Sequence, residues 1–145
     1  MIKTEAAYKQ ALEQIRKDRI YMDEQKKMFN GMGLTAEQVT KALEPTISFH
    51  EQLKEEVEYY ERIKRGEFDL IYNFETIGKT LIAYRIYINM SQNDLAEKLE
   101  VSPAQVSRDE RNEYFGATIE KIKSVMTAMG MITETRVEPK PLMAV

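Results

Sequence analysis

The sequence contains no cysteine and no tryptophan, one histidine, four prolines and six glycines among its 145 residues. Without cysteine there is no disulfide framework, no thiolate metal site and no cysteine nucleophile. A lone histidine, His50, cannot build a multi-histidine metal centre and removes most acid–base relays. No apolar run approaches the roughly 20 residues that cross a bilayer, and Met1 to Gln10 carries no hydrophobic signal region. A large excess of either charge is missing too. The 21 basic and 24 acidic residues leave a net of −3, which excludes a strongly basic protein that coats nucleic acid by charge alone. What remains is an ordinary globular balance, 43% hydrophobic and 31% charged, at a length for one domain or one domain with an appendage. These absences point to a cytoplasmic protein with no membrane partner, no cofactor, no metal and no enzyme chemistry.

The scarce glycines and prolines mark the joints. From Ile2 to Asn30, the residues Tyr8, Leu12, Ile15, Met22 and Phe29 recur at helical spacing. Gly31-Met32-Gly33 ends that helix. Thr35 with Gln38 outlines a capping box, and the short helix it opens is expected to run through Leu43 and break at Pro45. A second long helix is expected from about Thr46 to Arg65, with Ile47, His50, Leu53, Val57 and Tyr60 on one stripe. Glu51, Lys54, Glu55, Glu58 and Glu61 then point outward, and Gly66 closes the helix. Residues 1–66 therefore read as an antiparallel hairpin for dimerisation or partner binding. Residues 67–73 read as a linker, 74–130 as a unit of short helices, and 131–145 as a strand or a loose tail.

Several groups have plain structural readings. His50 beside Glu51 and Glu55 is packing on an amphipathic helix rather than a metal cluster. Arg62, Lys64 and Arg65 suit a helix C-terminus, with contact to flanking DNA as the alternative. Tyr59, Tyr60, Tyr84, Tyr87 and Tyr114 are aromatic bulk for packing or an interface.

Most of the information lies between Ser91 and Glu110. Ser91 is an N-cap with Asp94 at the third helical position, and Leu95, Ala96 and Leu99 form an apolar face. Ser102 is a second N-cap, followed by Pro103 at the first helical position, with Val106 as the apolar anchor. Two helices of about eight residues joined by so tight a turn must cross at a large angle, as in a helix-turn-helix.

Taken together, I77-G78-x-x-L81-x-x-x-R85, S91-Q92-x-x-L95-A96-x-x-L99-x-V101-S102 and V106-S107-R108-x-E110 resemble the Xre/Cro-type helix-turn-helix DNA-binding regulators. A closing helix through Ile119, Ile122, Val125, Met126 and Met129 continues the resemblance to Gly130. It implies an all-α fold: a five-helix DNA-binding domain preceded by the N-terminal hairpin, with a short C-terminal strand as an option. By the same resemblance, the helix near Ser102 enters the major groove, and Pro103, Ala104, Ser107 and Arg108 face base edges. Gln105 lies nearer the backbone, Ser102, Arg111 and Asn112 complete the DNA-facing set, and Gln92 binds a phosphate and braces the recognition helix. Arg85 and Glu110 match a buried structural ion pair. Independently, an arginine such as Arg108 can hold guanine O6 and N7 together, and Ala104 can touch a thymine methyl.

The sequence also departs from that pattern. Glu100 stands where a turn glycine is customary and is expected to adopt a left-handed angle at some cost. Asn89 and Asn112 replace two further glycines, and asparagine tolerates that conformation. Asp109 takes a position that is usually apolar or aromatic. Residues 74–130 hold seven basic and eight acidic side chains, a net of −1, so non-specific DNA affinity is expected to be modest. The expected function is a repressor that binds a palindromic operator in double-stranded DNA as a homodimer. The alternatives are an antitoxin that binds a toxin through residues 1–66 and autoregulates, or an interaction module that keeps the fold without DNA binding.

Overall fold

The described residues form six helices: α1 (Glu5–Gly31), α2 (Ala36–Lys64), α3 (Ile77–Tyr87), α4 (Gln92–Leu99), α5 (Pro103–Arg111) and α6 (Ile119–Met129). They come from a computed structural model that describes residues 1–140, and the described residues contain no strand. The protein is all-α. No described helix is long and apolar enough to cross a membrane.

The ends of α1 and α2 follow from their caps. Thr4 accepts the Ala7 N–H at 3.1 Å, and at the other end of α1 Gly33 takes φ +84 in the turn toward α2. Thr35 accepts the Gln38 N–H at 3.2 Å while Gln38 Oε1 accepts the Thr35 N–H at 2.9 Å, a complete capping box.

Pro45 does not break the chain, contrary to the expectation of a short helix followed by a separate one from Thr46. It sits inside a continuous α2 of 29 residues. Proline removes one helical hydrogen bond and crowds the carbonyl one turn earlier, here that of Lys41. Both Pro45 and Lys41 are exposed, so water can satisfy the freed carbonyl. Burial of Val39, Leu43 and His50 on either side of the proline holds the helix together.

Residues 74–130 contain four helices, not five. Residues 112–116 form turns, with Glu113 at φ 51 and Tyr114 at φ 55. Asn112, expected in the left-handed region, has φ −87. The reversal falls one residue later because the turn is pressed onto α3. A Cβ at Gly78 would come within 1.8 Å of the Glu113 carbonyl oxygen, and Tyr114 is buried. Only glycine allows this approach.

The optional C-terminal strand is also absent among the described residues. Residues 131–140 have no regular structure, and Ile132 and Val137 are 86% and 83% exposed. Their alternation has no second strand to pair with, and an unpaired strand gains no ladder. Residues 141–145, with Pro141, lie outside the described residues.

One apolar core joins the hairpin base to the C-terminal helices. Ala11, Val57, Tyr60 and Ile63 belong to the same buried cluster as Leu81, Ile82, Leu95, Val106 and Val125. The first residues strap across this junction, with Ile2 buried and the Met1 amine 3.5 Å from Glu56. The connection after α2 is fastened as well. Arg62 pairs with Asp69 at 2.5 Å and Arg65 with Glu67 at 3.2 Å, while the Phe68 ring meets Tyr87 edge-on at 5.4 Å.

Candidate nucleic-acid interface

The turn between α4 and α5 is three residues long, Glu100 to Ser102. Ser91 caps α4 by accepting the Asp94 N–H at 3.0 Å, and Asp94 Oδ2 accepts the Ser91 N–H at 3.2 Å. At its other end Glu100 takes φ 57, ψ 40, and the Val101 N–H donates back to the Ala96 carbonyl at 3.0 Å, closing the helix. Glu100 therefore occupies the left-handed angle expected of it, a conformation that costs a residue with a Cβ about 1–2 kcal/mol. Asn89 does the same at φ 58. Ser102 then accepts the Gln105 N–H at 3.1 Å, and Pro103 supplies the preset first residue of α5.

α5 divides cleanly into two faces. Val106 and Glu110 are buried inward. Ser102, Pro103, Ala104, Arg108, Arg111 and Asn112 are exposed, with Ser107 and Gln105 half-buried. The face predicted to meet DNA is thus the open face of this helix. Gln92, at the start of α4, is half-buried and turns inward to the next feature.

Arg85 and Glu110 form the buried pair. Arg85 Nε donates to Glu110 Oε2 at 2.6 Å and Nη2 to Oε1 at 2.9 Å, with the two side chains 3% and 0% exposed. Two further donors are engaged. Arg85 Nη1 donates to the Met90 carbonyl at 2.8 Å and Nη2 also to the Lys3 carbonyl at 3.1 Å. Gln92 Nε2 adds a third donor to Glu110 Oε1 at 2.9 Å. A bidentate pair supported by further hydrogen bonds is the geometry in which burial of charge is tolerated. It ties α3, the start of α4 and the end of α5 into one frame.

Two contributions to this frame carry no signal in the sequence. Lys3 donates from Nζ to the Glu110 backbone carbonyl at 3.2 Å, so a residue 107 positions away helps hold the C-terminal end of α5. Gln105 is a strut within α5. Its Nε2 donates to Asp109 Oδ1 at 2.9 Å, and its Oε1 accepts from Arg108 Nη2 at 2.9 Å. Asp109 in turn lies 3.4 Å from Lys121 Nζ, which explains an acid where an apolar residue is customary: it ties α5 to α6 and orients Gln105.

The remaining sequence candidates fall outside this face. Lys64 is engaged by Asn89 Oδ1, and Arg62 and Arg65 are paired as above. His50 is buried on α2 with Nδ1 3.8 Å from Asp18 Oδ2, and that nitrogen has no hydrogen-bond partner among the described residues. Glu51 and Glu55 point into solvent. Tyr114 lies under α5, and burial, reinforced by Glu110 and Asp109, pushes its phenol well above the usual range. Comparison with protein-family models, with curated proteins and with solved structures finds no match for this chain.

Proposed function

We propose that this chain is a sequence-specific DNA-binding regulator that reads a duplex with the exposed face of α5. One observation carries the reading. α5 is a short, doubly anchored helix whose inward side is locked by the Arg85–Glu110–Gln92 network and whose outward side is solvent-exposed and polar. Such a helix fits the major groove, and its N-terminal residues reach base edges. Arg108 supplies the bidentate reader of guanine, Ala104 the apolar contact to a thymine methyl, and Arg111 a phosphate contact. On binding, Arg108 exchanges its hydrogen bond to Gln105 for the base, so the strut presets the side chain without locking it.

Selection of bound duplexes from a random pool, at low and near-physiological salt, tests the reading. Enrichment of a two-fold symmetric site with half-sites about 34–36 Å apart, one helical turn, is the expected result for a dimeric regulator. Arg108→Ala should weaken binding to the selected site by about 1–3 kcal/mol and relax preference at one base pair. Its stability should stay unchanged because the side chain is exposed. No enrichment at either salt would reject DNA reading by α5 and leave protein interaction as the function of the fold.

A further inference from the structure

The hairpin leaves one side uncovered. Ala11 is the only buried residue of the 27 in α1, while Leu12 and Ile20 are 42% and 48% exposed. With Ile15 and Val57 they floor a groove of about 520 Å³ between α1 and α2.

The walls of this groove carry opposite charge. Arg16 and Arg19 rise from α1, and Lys9 lies one turn before Leu12 on the same helix face. Glu58 and Glu61 rise from α2, with Glu51 one turn before Lys54. Lys54 pairs with Glu51 at 3.8 Å and Arg16 with Glu13 at 2.5 Å, so Arg19, Glu58 and Glu61 are the unmatched charges of the lining. Among the described residues, Lys9, Arg19, Glu58 and Glu61 have no ion-pair partner.

A groove with one basic and one acidic wall is self-complementary about a two-fold axis parallel to the helices. Such an axis lays each α1 over the α2 of the other copy, antiparallel and at the same level, and an isologous contact needs this match. Tyr8 stacks on Tyr60 and Asp18 stands opposite His50, which sets the levels across the hairpin. At that register Lys9 would stand level with Glu58 and Glu61 of the partner subunit, and Arg16 and Arg19 level with Glu51 of the partner subunit. Helices of 27 and 29 residues are about 40 Å long. Two of them side by side offer on the order of 800 Å² per copy, the size of a stable interface.

We propose that this open side of the hairpin is the homodimer interface, closed by a second copy into a four-helix bundle. Both C-terminal units then leave the bundle at the same end, so the two α5 helices are presented on one side of the dimer.

Two variants of the full chain test this. One reverses α1 (Lys9→Glu, Arg16→Glu, Arg19→Glu) and the other reverses α2 (Glu51→Lys, Glu58→Lys, Glu61→Lys). Sedimentation velocity without DNA reads the oligomeric state, and far-UV circular dichroism checks that helicity is retained. The unaltered chain should be a dimer. Each variant alone places like charges opposite each other and should raise the dimer dissociation constant on the order of 100-fold. Mixing the two variants should restore a dimer containing one of each, since both walls then meet opposite charge. A monomeric unaltered chain at about 100 μM, or reversed variants that dimerise as well as the unaltered chain, would overturn the proposal. Because no DNA is present, either failure leaves the α5 reading intact.

Discussion

The hairpin and the C-terminal helices are built on opposite principles. α1 and α2 are 27 and 29 residues long, yet away from their base they bury only Val39, Leu43 and His50. The four helices of the C-terminal unit are 8 to 11 residues long, too short to persist alone, yet they enclose Leu81, Ile82, Leu95, Val106 and Val125 almost completely. Long helices carry their own hydrogen bonds and cap residues and need little core. Short ones exist only because tertiary packing holds them. Local stability should therefore be highest around α3 to α5 and lowest at the tip near residues 31–36, a gradient that hydrogen exchange resolves.

The largest perturbation available is Glu110→Ala. It leaves Arg85 buried without its carboxylate and releases Gln92, and breaking such a pair costs about 3–5 kcal/mol. Urea unfolding should register that loss. Because Lys3 is also tied to this frame, exchange should accelerate at the hairpin base as well as in α5. An effect confined to α5 would show that the strap does not couple the two regions.

Gly78→Ala comes next. Its Cβ would collide with the Glu113 carbonyl, a backbone atom with little freedom to give, so about 3 kcal/mol is expected, the upper end of ordinary overpacking. The same substitution at Gly31, where a Cβ meets nothing, should be nearly silent. That pair of mutants contrasts the dense unit with the open hairpin directly in thermal melts.

Glu100→Gly should act in the opposite direction. Relieving a left-handed glutamate should stabilise the protein by about 1 kcal/mol, visible as a higher urea midpoint. No gain would mean that the Glu100 side chain makes compensating interactions.

The subtlest test concerns the junction at high pH. Burial, then the hydrogen bond that Tyr60 donates to Glu5 Oε2 at 2.9 Å, pushes the Tyr60 phenol from 10.0 up to about 12. A raised folded value means that its contribution is fully present below pH 10 and is lost as pH rises through 10 to 12. Tyr60→Phe should flatten that part of the stability–pH curve. An unchanged slope would assign alkaline loss to Tyr114 instead, whose phenol is also raised by burial.

How much of this was legible in the residues follows from the range of the forces involved. Capping is local, so Thr35 with Gln38, Ser91 with Asp94, and Ser102 before Pro103 marked three helix starts correctly. The hairpin's periodicity was equally plain. The left-handed angles at Glu100 and Asn89 and the Arg85–Glu110 pair were anticipated from a resemblance in spacing. Pro45 misled because a local rule about proline was outweighed by burial on both sides of it, and the cost of a proline depends on whether water can reach the freed carbonyl. Asn112 misled by one residue because the close approach of Glu113 to Gly78 decided where the chain reversed. The alternation after Ile132 left a strand and a loose tail open, and with no second strand to pair with among the described residues the chain there has no regular structure.

By itself the sequence determined the all-α class, three of the helix starts and the joint between long and short helices, all set by interactions within a few residues. Tertiary structure alone decided the rest. It placed Lys3 against the far end of α5, made Gln105 a strut between Asp109 and Arg108, and left Arg16 and Arg19 across an open groove from Glu58 and Glu61. Those contacts join residues far apart in the chain, and no local rule reaches across that separation.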